Sequence, residues 1–74
     1  MAQDQSYRVV YHDGDDGWLV GEVPELPGCL SQGRSLDELL DNLRDAVSAC
    51  VAVRRELGLP DRVAIHEASV VVAA

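Results

Sequence analysis

No lysine occurs anywhere in the 74 residues, so all six basic side chains are arginines set against 13 carboxylates, for a net charge of −7. Nucleic acids are gripped largely through clustered Lys and Arg on phosphates. A chain this acidic is therefore expected to be repelled by DNA, RNA and anionic membrane surfaces and drawn to basic proteins. Cysteine is also scarce: Cys29 and Cys50 are too few for a disulfide framework. Long apolar runs are missing too, none exceeding the length of Val70 to Ala74, far short of a membrane span. Met1 to Tyr7 is polar and lacks the apolar run of a signal peptide. These absences lead us to expect one reduced, soluble, cytoplasmic domain over residues 1–74, with a core modest enough to favour self-association.

What is present reads as an α+β pattern. Ser6 to His12 alternates, with Tyr7, Val9 and Tyr11 on one side and Arg8, Val10 and His12 on the other, as a strand does. Asp13-Gly14-Asp15-Asp16-Gly17 supplies turn formers able to take positive φ, and Trp18 to Val23 returns as a second strand, making a hairpin. Pro24 and Pro27 remove two backbone donors and stop the ladder. Gly28 to Gln32 can form a short third strand before Gly33 turns the chain.

The helix has the clearest signature. Ser35 and Glu38 form a capping box, and Leu36, Leu39, Leu40, Leu43, Val47 and Cys50 recur at helical spacing. Gly58 suits the position just past the end, and Pro60 prevents resumption. Val63 to Val72 is apolar and β-branched enough to predict a last strand. The predicted order is β-β-β-α-β: a three-stranded antiparallel sheet, one long amphipathic helix and a final strand. One helix covers one sheet face, yet apolar groups fall on both, which predicts a homo-oligomer or another partner.

Signals of catalysis are weak. Neither cysteine sits in a metal-binding spacing, and a buried free thiol serves as a small hydrophobe. His12 and His66 stand alone, each on a predicted strand, facing solvent or a partner. The Asp13–Gly17 turn is not an EF-hand loop: its twelfth position is Pro24, and strands flank it. No nucleophile motif is present, so no enzyme, cofactor or metal is expected. The carboxylates of the helix say more. Asp37, Asp41 and Asp45 follow i, i+4, i+8 spacing beside Glu38, opposite the leucine stripe. Asp37 and Glu38 favour the helix dipole, whereas Asp41 and Asp45 gain little from it and repel one another slightly. A solvated face accounts for them, and so does a docking strip for a basic partner, with Trp18 and Glu22 as further contacts.

The string Gly17-Trp18-Leu19-Val20-Gly21-Glu22-Val23-Pro24-Glu25-Leu26-Pro27-Gly28-Cys29 is similar to the signature of HicB-like antitoxin domains. So is its continuation from Ser31-Gln32-Gly33-Arg34-Ser35-Leu36-Asp37-Glu38 into the helix. The resemblance covers about residues 7 to 55. It implies a partial RNase H-like fold without a catalytic centre. It also implies the antitoxin half of a bacterial toxin–antitoxin pair, whose usual partner is HicA, a small basic RNA-cleaving toxin. Many members carry a DNA-binding segment after this domain; here the sequence stops at Ala74, so no direct nucleic acid binding is expected. The rival expectation is a homo-oligomeric structural or regulatory domain with no toxin.

Overall fold

In the computed structural model, which describes residues 5–73, the elements follow the order strand, strand, strand, helix. Strands β1 (Val10–Asp13), β2 (Leu19–Glu22) and β3 (Leu30–Gly33) form an antiparallel sheet in the order β1-β2-β3. Helix α1 (Leu36–Glu56) lies across one face. The α+β class with a three-stranded antiparallel sheet and one long helix is as the sequence predicts.

The strands are shorter than their alternation suggests, and the proline corner explains one boundary. Val10 pairs with Glu22, so anything before it would need Val23 and Pro24 as partners. The Val23 N–H points the other way, to the Cys29 carbonyl at 3.0 Å, Pro24 has no N–H to give, and the Arg8 N–H donates to Glu25 Oε1 at 2.6 Å. Residues 5–9 therefore run alongside without entering the ladder. The corner closes on itself through Leu26 N–H to Val23 O (3.0 Å) and Cys29 N–H to Leu26 O (2.9 Å), with Gly28 at φ 85°. This folding turns Val23, Leu26 and Cys29 inward, where they join Leu39 and Leu43 as the buried core. Each fully buried side chain of this size contributes about 1.5–3 kcal/mol.

Two close approaches seat the helix. A Cβ on Gly33 would lie 2.5 Å from the Leu39 backbone nitrogen, and one on Gly21 would meet the Leu39 and Leu43 methyls. Gly21 thus fixes which face is inner: Leu19, Gly21 and Val23 turn toward α1, while Val20 and Glu22 turn away. At the helix start, Glu38 N–H donates to Ser35 Oγ at 3.1 Å. The reciprocal half of the cap differs from expectation, since Glu38 Oε1 accepts from the Arg34 N–H at 3.3 Å rather than from Ser35. At the other end Gly58 N–H reaches Arg55 O (3.1 Å) and Leu59 N–H reaches Arg54 O (2.8 Å), with Gly58 at φ 71°, a Schellman stop.

The predicted final strand is absent: residues 63–73 join no ladder among the described residues. The chain instead returns from the helix to clasp the corner. Arg62 Nη1 bridges Glu25 Oε2 (2.7 Å) and Ser6 O (2.8 Å) while lying over the Tyr7 ring, and Val63 N–H donates to Glu25 O at 2.9 Å. Beyond that bond Ile65 is half-buried, the Arg8–Glu67 ion pair is the only one the segment makes among the described residues, and Val70, Val71 and Val72 are 86, 100 and 77% exposed. High β-propensity does not make a strand without a neighbour to complete it.

Candidate functional site

The carboxylates of α1 are all exposed, on the side away from the sheet. They are not equally available. Glu38 is engaged in the helix cap, and Asp41 pairs with Arg44 Nη1 at 2.8 Å. Asp37 and Asp45 make no ion pair among the described residues. Trp18 is partly buried at the outer sheet face, with the Arg34 guanidinium 4.3 Å from its ring centroid. This stacking joins the β1–β2 turn to the residue just before the helix cap.

Register adds residues that sequence reasoning passed over. Asp13 pairs with Leu19 and Leu19 with Gly33, so the turn after β1 and the start of α1 meet at one end of the sheet. Asp13, Asp15 and Asp16 are exposed there, with Asp16 held at φ 57° and Gly17 at φ 80°. One end of the molecule therefore carries Asp13, Asp15, Asp16, Asp37 and Glu38, with Asp41 and Asp45 continuing along the helix. The turn's composition was visible in the sequence, but its nearness to the helix start is set by strand pairing. Glu22 does not belong to this group. It lies three residues along β2, on the outer face between Val10 and Leu30, away from the acidic end.

The remaining chemistry-bearing groups are accounted for by packing. Cys29 is buried and Cys50 half-buried; burial first, and then the neighbouring Cys50 thiol, push Cys29 up to about 11. Such a thiol stays protonated and inert near neutral pH. Two hydrogen bonds from Arg55, at 2.9 and 2.7 Å, hold the Asp61 carboxyl below the ordinary carboxylate range and brace the return from the helix. His12 and His66 are exposed. Among the described residues no three His, Cys, Asp or Glu side chains come together as metal ligands, and no helix is long and apolar enough to cross a membrane.

The fold and its charge define a small α+β domain with one acidic, exposed end. Over residues 7–70 the sequence matches the family described as the HicB_like antitoxin of bacterial toxin-antitoxin system. The chain belongs to this family, a membership that supports an antitoxin role and, in general terms, a toxin partner. It is 40% identical over 47 residues to the UPF0150 protein ssr1258 of Synechocystis, spanning 64% of this chain and 68% of that one. A UPF0150 protein of Archaeoglobus fulgidus is 35% identical over 51 residues, 69% of this chain and 74% of the relative. A third, Ta0767 of Thermoplasma acidophilum, is 40% identical over 45 residues, 61% of this chain and 65% of its own length. No solved structure matches the chain.

Proposed function

We propose that this protein is a cytoplasmic, non-enzymatic antitoxin that binds a small basic HicA-type toxin and masks its RNA-cleaving surface. The observation that carries the reading is the acidic end. Strand register gathers the Asp13–Asp16 turn with Asp37 and Glu38, and two turns of helix extend the strip through Asp41 to Asp45. Three of the six arginines are paired with acids elsewhere on the chain, and Arg44 on Asp41 with Arg34 beside Trp18 are outnumbered by the carboxylates here, so this end keeps its negative potential. Opposite charge accelerates encounter and aligns the partners. Asp37 and Asp45, free of ion pairs among the described residues, make the first contacts, with Trp18, stacked on Arg34 at the outer sheet face, as an aromatic contact at the same end. Glu22 would contact the toxin only if it also reached the outer sheet face. The same negative potential disfavours direct nucleic acid binding by this chain.

Co-expression with the small basic protein encoded beside it tests the reading. Complex formation and restored growth are expected. Absence of both, with each protein soluble, overturns it. A second reading, a homo-oligomer without a toxin, is favoured by the apolar segment left in solvent at Val70–Val72.

A further inference from the structure

Helix α1 packs over β3 and β2 and leaves the inner side of β1 open, so Tyr11, which turns toward the helix side, is still 48% exposed. Next to it, between the segment before β1 and the helix, lies an open groove of about 670 Å³ whose walls include Tyr7 and Val9 on one side and Leu40, Val47 and Val51 of α1 on the other. None of the described residues fills it. Meanwhile the chain beyond the half-buried Ile65 is held among the described residues only by the Arg8–Glu67 ion pair, and its Val70, Val71 and Val72 stand in solvent. The radius of gyration, 14.5 Å, exceeds the roughly 11 Å of a compact chain of this length. One molecule thus has an empty apolar groove and a projecting apolar segment.

We propose that the groove receives the C-terminal arm, residues 64–73, of a second copy, in a reciprocal two-fold exchange. This specifies the homo-oligomer reading above and rests on it. Ser6 and Tyr7 line both the groove and the cleft beneath Arg62–Ile65, so the arm leaves its own copy at the groove's mouth. A two-fold axis near that point carries each arm to the other groove. The unpaired edge of β1 lies beside the groove and offers the backbone partners an incoming strand needs. The β3 edge is less open, since Asn42 Nδ2 already donates to the Gln32 carbonyl at 2.8 Å. An arm paired along β1 alternates its side chains, so valines on one side enter the groove and the others cover Val10, which is 49% exposed. Ten residues at about 3.3 Å each span roughly 33 Å, enough to run past the four residues of β1.

The test uses the full chain at tens of micromolar in sedimentation velocity, with far-UV circular dichroism as a folding control. Wild type is expected to be a dimer. Val70→Asp/Val72→Asp, altering side chains that touch nothing in their own copy, should keep the fold and weaken dimerisation by about 100-fold. Ala52→Glu, on the groove wall, should do the same from the other side. In a mixed dimer of isotope-labelled and unlabelled copies, the arm valine methyls should show contacts to Val9 and Val51 of the other copy. A monomer at all concentrations overturns the exchange together with the homo-oligomer reading. A dimer unmoved by both variants, or arm contacts confined to one copy, overturns the exchange and leaves that reading standing. Arm protection that appears only when a basic toxin is added overturns it as well.

Discussion

The corner Val23–Cys29 and the arm after Val63 make an instructive pair. The arm is the more apolar of the two, yet the corner buries Val23, Leu26 and Cys29 almost completely while Val71 stands fully in solvent. The difference lies in geometry rather than composition. The corner satisfies its own backbone through three short hydrogen bonds and presents three side chains to Leu39 and Leu43. The arm has neither an internal turn nor a neighbouring strand among the described residues, so its backbone has no partner there and, beyond the half-buried Ile65 and the Arg8–Glu67 ion pair, neither do its side chains. Apolar content sets how much burial can stabilise; backbone partners decide whether it happens.

The comparison can be broken most sharply on the corner's side. Leu39→Ala removes a side chain with no exposure whose methyls pack over Gly21 of the sheet, and it should cost about 2–5 kcal/mol in urea unfolding. In so small a domain that loss approaches the whole stability. A thiol placed in each region gives the next contrast. At pH 8 an introduced Val71→Cys should react freely with an aromatic disulfide reagent. Cys29, raised to about 11, should react slower by about 100-fold or more. Because the folded Cys29 holds its proton more tightly than the unfolded thiol, which titrates near 9, its contribution to stability is intact below pH 9. It is lost as pH rises toward 11. Ser35→Ala, which takes away the hydroxyl that caps Glu38 N–H, should cost about 1 kcal/mol. Least affected is the arm: Val71→Ala should lie within about 0.5 kcal/mol of wild type at submicromolar concentration, where copies are apart. Repeating that measurement at high concentration should open a gap, and its size reports what a second copy contributes.

The helix was legible because its causes are local: a cap at Ser35, a stripe of period 3.6, and a glycine that ends it. The hairpin and the proline corner were legible for the same reason. Strand ends were not, because they depend on what lies across the ladder; Tyr7 and Val9 alternate correctly but face a residue already bonded within the corner. The last strand, read on propensity alone, joins no ladder among the described residues of one copy. For the candidate site, the spacing of Asp37, Asp41 and Asp45 marked the helical strip. Joining Asp13, Asp15 and Asp16 to it required the pairings Asp13 with Leu19 and Leu19 with Gly33, a contact between turns some twenty residues apart that no local pattern encodes. The same holds for Glu22, since only the inward turn of Gly21 shows that it faces the outer side of the sheet.

The acidic end is the centre of the functional account, and stopped-flow association with the purified basic toxin addresses it directly. The association rate should fall steeply as salt rises from low to several hundred millimolar, as screening shortens the reach of exposed charge. Asp37→Lys/Asp45→Lys, with folding unchanged, should lower the low-salt rate by about tenfold or more. A rate indifferent to both salt and charge reversal would contradict an antitoxin that finds its partner through this end.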